Sequence, residues 1–476
     1  MNKRLPDAFL WGGALSNVQA EGGYLEDGKG LNVYDTLTVT PEPGIPPIFS
    51  DTSVASDHYH RYQEDIKHMQ EMGFKAYRFS IVWSRIHPLG DEDTPNEKGL
   101  DYYEKMIDCL LEANIEPVVS LVHFDMPDHL YRKYNGLLSK EVIDFYARHV
   151  KHVVERLKGK VKYWITYNEI NLVSNHSRLV SGCVKPQTMD DATFFSQLTL
   201  NAQIAHAKAV AIIKEKAPDA LVAGMIGHCP FNPKSNASED LLAAQFKNKM
   251  HNYLPFDIMT SGELPTYFKQ YMVKRSVVLK ATETDYQLIK KSAEKLDYLA
   301  FSYYRTNVTG MFDDIDDITI QEDLIIKDER GLKNLHYEAN EWGWNKDGTG
   351  LRLALIELYE RYKKPLFIVE NGIGIDETLQ DGKVYDDERI AYYQLHIKNM
   401  MQSIIEDGVN VLGYLAWGPI DFLSSHKEVR KRYGFLYVNR TKDDLLDLNR
   451  YKKKSFYWYQ QVIKSNGEDL ENKIEY

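Results

Sequence analysis

Short apolar runs rich in β-branched and aromatic residues recur eight times along this chain, at residues 9–15, 76–81, 117–123, 163–168, 221–227, 299–304, 366–370 and 411–417. Helical stretches separate them, and amphipathic periodicity is clear over residues 62–72, 100–112, 140–157, 202–216, 351–362 and 387–406. In the first of these Ile66, Met69 and Met72 share one face at helical spacing, which reads as core packing. Eight is the number of strands that closes a parallel barrel, so the pattern predicts an α/β fold, a (β/α)8 TIM barrel with elaborated βα loops. Two long connections follow strands and belong at the C-terminal mouth: residues 38–57, carrying Pro41, Pro43, Pro46 and Pro47, and residues 305–345, carrying the acidic patch Asp313-Asp-Ile-Asp-Asp317. That patch lacks the ligand and glycine pattern of a calcium loop and reads as solvated.

No Ser/Gly linker or change of composition divides the 476 residues, so one catalytic barrel is expected over 1–476, ending in a polar tail from 465 that frays. The chain is 43% hydrophobic and 27% charged, an ordinary globular balance. The start of the sequence has no apolar signal region and no run of 18 apolar residues appears, which predicts a cytoplasmic protein off the membrane. Cys109, Cys183 and Cys229 are isolated and lack metal spacing, so they read as reduced and structural. A net charge of −11 argues against nucleic acid as a partner. The local exception is Lys427-Glu-Val-Arg-Lys-Arg432, four positive charges and one negative, which taken alone reads as a solvated face.

Two glutamates end apolar runs in matching settings: Glu169 closes Val161-Lys-Tyr-Trp-Ile-Thr-Tyr-Asn168-Glu169, and Glu370 closes Pro365-Leu-Phe-Ile-Val-Glu370-Asn371. A single glutamate at a strand end is more often a cap or a structural ion pair. A matching pair of buried carboxylates, each costly alone, points instead to glycoside hydrolysis, where one acid protonates the leaving oxygen and the other traps the oxocarbenium-like carbon.

The runs Phe9-Leu-Trp-Gly-Gly-Ala-Leu-Ser-Asn-Val-Gln19-Ala-Glu, Tyr77-Arg78-Phe-Ser, His123-Phe-Asp-Met-Pro127, Trp164-Ile-Thr-Tyr-Asn168-Glu169 and Ile368-Val-Glu370-Asn371-Gly together resemble glycoside hydrolase family 1, the retaining β-glycosidases. The resemblance implies Glu169 as acid/base and Glu370 as nucleophile. Arg78 would then stand beside Glu370 and hold it ionised, while Glu169 lacks an obvious cation and is raised. It further implies that Asn168 meets the sugar 2-hydroxyl and that Tyr304 hydrogen-bonds the nucleophile. Gln19 and His123 would contact the far side of the glycone, with Trp417 as the platform beneath it and Trp344 lining the leaving-group side. Neither cofactor nor metal is implied, and no Gly-rich dinucleotide fingerprint supports an NAD-dependent route.

In neutral-sugar members of that family a glutamate followed by tryptophan grips the glycone 4- and 6-hydroxyls after the last strand. Here Ser424-Ser425 stands in that place, and Ser424, Lys431 and Tyr433 match the phosphate-binding triad of the 6-phospho-β-glycosidases. A hydroxyl, an ammonium and a phenol converging on one phosphate make charge-assisted hydrogen bonds, whereas a neutral sugar would leave the lysine unpaired. The resemblance therefore implies a 6-phospho-β-glucosidase subgroup, with 6-phosphoglucosides as substrate and a phosphotransferase uptake system as a metabolic link upstream. Ser425, where galacto-specific enzymes tend to carry tryptophan, leans towards the gluco epimer. The alternatives are a 6-phospho-β-galactosidase, a neutral-sugar β-glucosidase, and an inactive sugar-phosphate sensor on the same barrel. Ser302 and Leu137 depart from the usual family residues, as do Lys346 and Gly348 after Trp344.

Overall fold

The computed structural model describes residues 4–37, 51–310, 334 and 336–476. Eight parallel strands close a barrel: β1 (Leu10–Ala14), β2 (Ala76–Ser80), β3 (Glu116–Ser120), β4 (Tyr163–Ile165), β5 (Leu221–Gly227), β6 (Tyr298–Ser302), β7 (Leu366–Asn371) and β8 (Val411–Trp417). Each pairs with its sequence neighbour, and β8 closes on β1 from Leu10↔Gly413 to Ala14↔Trp417. All eight expected strands are present, most of them shorter than their apolar runs, because the last residues of several runs leave the ladder to enter the mouth of the barrel. The acidic patch and most of the proline-rich connection lie outside the described residues.

Helices cover the barrel: α1 (His58–Met72), α2 (Glu97–Glu112), α3 (Lys140–Leu157), α4 (Asp191–Lys216), α5 (Glu283–Ala293), α6 (Gly348–Tyr362), α7 (Asp387–Ile405) and α8 (Lys454–Lys464). Ile66, Met69 and Met72 of α1 are fully buried, as their spacing predicts. Helix α4 begins eleven residues before the expected 202. Its first half is buried on every side from Phe194 to Ala207, so it shows no polar face for periodicity to reveal. Its start is set by Asp190, whose carboxylate accepts the Thr193 N–H at 2.9 Å. No helix among the described residues is long and apolar enough to cross a membrane.

The polar chain end does not fray. Trp11 Nε1 donates to Asn466 Oδ1 at 2.9 Å, Trp458 Nε1 to the Leu470 carbonyl at 3.1 Å, and Tyr476 bridges Val384 N–H and the Lys452 carbonyl at 2.9 and 2.7 Å. Composition alone hides this, because the partners that tie the tail down come from the first strand, the last helix and two other segments, at Val384 and Lys452.

Candidate active site

A cavity of about 200 Å³ opens at the C-terminal mouth of the barrel. Gln19, His123, Glu169, Tyr304, Trp344, Glu370, Trp417 and Tyr433 line it, as do Ser425 and His426, whereas Ser424 and Lys431 are not among its lining residues. Arg78 and Asn168 are both buried.

Glu370 sits near the end of β7, where the strand hands the chain to the mouth. Arg78 Nη1 donates to Glu370 Oε1, and the Tyr304 hydroxyl donates to Oε2 at 2.7 Å. The same guanidinium reaches Asn168 Oδ1 through Nη2 at 2.6 Å and Ser120 Oγ through Nε at 2.8 Å. One rigid fork therefore sets the positions of both the carboxylate and the amide. With its oxygen held by arginine, Asn168 directs its Nδ2 elsewhere, and that donor is buried with no hydrogen-bond partner among the described residues. Burial pushes the Glu370 carboxyl above its ordinary range, and Arg78 and Tyr304 pull it back only in part. Desolvation is the largest effect on this carboxyl, and Arg78 is the larger of the two that oppose it.

Glu169 follows β4 in the left-handed region, with φ 43°, an uncommon conformation for a residue with a side chain. Ser302 Oγ donates to Glu169 Oε1 at 2.5 Å. A register shift between Phe301 and Ser302 places Ser302 opposite Glu370 across the β6–β7 ladder, so this serine stands between the two carboxylates. Gly227, at the end of β5, leaves room for Glu169: a Cβ there would lie 2.9 Å from Oε1. Asn171 locks that glycine, accepting its N–H and donating to its carbonyl at 2.8 Å each.

On the opposite wall Gln19 Nε2 donates to the Leu423 carbonyl at 2.8 Å, and the His123 ring stacks on Trp417 at 5.8 Å between centroids. Burial first, then the Arg78 charge, holds His123 well below its usual pKa, so the imidazole is neutral.

Several lining residues escaped the sequence reading. His228, directly after β5, is buried with neither ring nitrogen hydrogen-bonded among the described residues, and Cys229, expected to be structural, lines the cavity beside it. Asn252 clamps the Cys229 backbone from a π-helical turn, Asn248–Tyr253, accepting its N–H at 3.1 Å and donating to its carbonyl at 3.0 Å. A π turn has no sequence period to betray it, and it recurs at functional sites.

The basic run after β8 is not a solvated face. Lys427 donates to the Leu37 carbonyl at 2.8 Å, and burial draws its pKa down to about 8. Arg432 binds Asp421 Oδ2 at 2.9 Å and the Arg440 carbonyl at 2.7 Å, while Arg430 pairs with Glu428 at 3.0 Å and alone of the four cations is exposed. Ser424 Oγ accepts the Glu428 N–H at 3.1 Å, which leaves its own O–H to donate. Lys431 Nζ lies 3.8 Å from the centre of the Trp344 ring and 5.9 Å from that of Tyr433. Among the described residues no group of three or more His, Cys, Asp or Glu side chains is placed to hold a metal ion.

A closed parallel barrel with two carboxylates at its mouth, one braced by arginine and tyrosine, defines the class, and the chain belongs to glycosyl hydrolase family 1, whose family model matches residues 1–468. Within that family it is 41% identical to the aryl-phospho-beta-D-glucosidase BglH of Bacillus subtilis, over 98% of this chain and 99% of that protein. It is 39% identical to the phospho-cellobiase of Klebsiella oxytoca over the same shares of the two chains. Among solved structures, the family 1 β-glucosidase from Thermotoga maritima superposes with a TM-score of 0.83 at 30% identity, covering 98% of this chain and 99% of the other.

Proposed function

We propose that this chain hydrolyses 6-phospho-β-glucosides with retention of configuration. Glu370 attacks the anomeric carbon while Glu169 gives its proton to the leaving oxygen; the C1–O bond breaks as the C1–Oε bond forms. In the second half Glu169 takes a proton from water, the water oxygen bonds C1, and Glu370 is released as a carboxylate. The bonds from Arg78 and Tyr304 suit Glu370 to the nucleophile's part, because both favour its ionised form against burial. Glu169 accepts the short bond from Ser302, a neutral hydroxyl that leaves the carboxyl able to carry a proton. Retention requires carboxyl groups about 5–5.5 Å apart. The unpartnered Asn168 Nδ2 is suited to the sugar 2-hydroxyl, where hydrogen bonds strengthen in the transition state.

The observation that carries the phosphate assignment is the buried trio Ser424, Lys431 and Tyr433 on the loop after β8, a habitual phosphate position of this barrel. Burial keeps the Tyr433 phenol protonated and able to donate. The names of the relatives, phosphoglucosidases at about 40% identity, support the same reading. Ser425 supports the gluco epimer, and a phosphorylated substrate implies a phosphotransferase uptake step that delivers it to the cytoplasm. The test compares p-nitrophenyl β-D-glucoside with its 6-phosphate. A preference of about 100-fold or more for the phosphate, roughly 2.7 kcal/mol of transition-state discrimination, is expected. Equal turnover would leave a neutral-sugar β-glucosidase.

A further inference from the structure

We infer that the turn bearing Trp342 and Trp344 is an aromatic clamp that holds Lys431 in place for the substrate phosphate, with Asn340 as the positioning residue that sets the clamp. The inference rests on the phosphate reading above and assigns to Trp344 a second task besides lining the leaving-group side.

Lys431 is buried, and its Nζ lies 3.8 Å from the Trp344 ring centre and 5.5 Å from that of Trp342. An aromatic face attracts an ammonium without using one of its N–H donors and without adding negative charge. A carboxylate would hold the lysine as firmly, but it would repel the phosphate the lysine is there to bind. Glu341, the acid within the turn, accepts from the Asp376 N–H at 2.7 Å.

Asn340 builds the turn. Its Oδ1 accepts the N–H groups of Trp342 and Trp344 at 3.1 and 2.9 Å, and its Nδ2 donates to the Gly374 carbonyl at 2.9 Å. Gly374 in turn gives passage to the lysine stem, since a Cβ there would stand 2.5 Å from Lys431 Cγ. The loops after β6, β7 and β8 therefore meet in one assembly around Nζ. Trp344 also packs against Tyr304, the partner of Glu370, at 5.1 Å between centroids, so the lysine's support is continuous with the reaction centre.

The experiment measures kcat and KM of wild type, Trp344→Leu, Trp344→Phe, Asn340→Ala, Lys431→Ala and the Trp344→Leu/Lys431→Ala double variant on the two p-nitrophenyl substrates. Both substrates share one leaving group, so loss of the leaving-group wall lowers both equally and leaves their ratio unchanged. The clamp predicts a selective rise in KM for the phosphorylated substrate, at least fivefold in Trp344→Leu and smaller in Asn340→Ala, with Trp344→Phe restoring most of it. In the Lys431→Ala background Trp344→Leu should add no further loss of phosphate preference. An unchanged ratio in Trp344→Leu and Asn340→Ala overturns the clamp while a discriminating wild type keeps the phosphate reading. A wild type that does not discriminate overturns both. Should Trp344→Leu fail to fold, Asn340→Ala and Trp344→Phe decide alone.

Discussion

The reaction centre and the loop after β8 both bury charge, yet they neutralise it by different means. At the centre, opposite charges and side-chain dipoles face one another: Arg78 against Glu370, Tyr304 on the second oxygen, Ser302 on Glu169. In the loop, Lys427 rests on backbone carbonyls and Lys431 faces aromatic rings, while Arg430 and Arg432 pair with carboxylates. The difference follows from what each region must keep. A nucleophile needs its charge stabilised but still available at one point, so strong directional partners suit it. On the proposed phosphate reading the loop must stay net positive, and carbonyls and rings hold a cation without cancelling it.

The largest effect that would test this contrast is at the centre. Glu370→Gln should lower kcat on the phosphorylated substrate by on the order of 10⁴-fold or more with the fold intact by circular dichroism, since the amide cannot form the glycosyl ester assigned to the carboxylate. Near-normal turnover would remove the assigned mechanism. In the loop, Lys431→Ala should cost the phosphorylated substrate roughly 100-fold in kcat/KM, the scale of a hydrogen bond to a charged group, and cost the neutral glucoside far less. Equal losses on both would show that the loop does not read phosphate.

Tyr304→Phe returns to the centre with a smaller effect, about tenfold in kcat/KM at neutral pH. It also carries a sign. Glu370 must be ionised to attack, burial raises its pKa, and the Tyr304 bond lowers it. Losing that bond raises the pKa further, so the acid limb of the pH–kcat/KM profile should move to higher pH. A limb that stays put, or moves down, would show that Tyr304 does not stabilise the ionised carboxylate.

The smallest effect is on stability. Burial lowers the folded pKa of Lys427 to about 8 from an ordinary 10.5. Between those values the unfolded chain binds more protons than the folded one, so stability should rise with pH across that window. Lys427→Met should flatten the rise; near neutral pH it relieves the cost of the buried ammonium while leaving the Leu37 carbonyl without this donor, so the two effects oppose and the net change should stay within about 1–2 kcal/mol. Urea midpoints at pH 7.5 and 10 measure both; an unaltered pH slope would mean that Lys427 titrates normally.

The barrel was legible in eight apolar runs because a buried parallel strand must be apolar on both faces wherever it sits. Glu169 and Glu370 were legible for the same reason, as the charged ends of such runs. Ser302 was not: it ends β6 and meets a glutamate that follows β4, 133 positions earlier, a contact that only the closing of the barrel brings about. His228 was also hidden. Its place in the cavity depends on Asn171 and Asn252 gripping the residues before and after it, from elsewhere in the chain. The fraying expected after residue 465 failed on a similar ground, since Trp11 supplies the anchor for Asn466.

By itself the sequence determined the α/β barrel, its two carboxylates and the loop whose hydroxyl, ammonium and phenol point to phosphate, because these rest on local patterns and on residue types. Only the tertiary structure decided how those groups are held: that burial outweighs Arg78 at Glu370, that the cations of the last loop are mostly buried, and that Lys431 lies on Trp344. Each of these depends on how much water is excluded and on which distant side chain fills the space, and neither is written in the order of neighbouring residues.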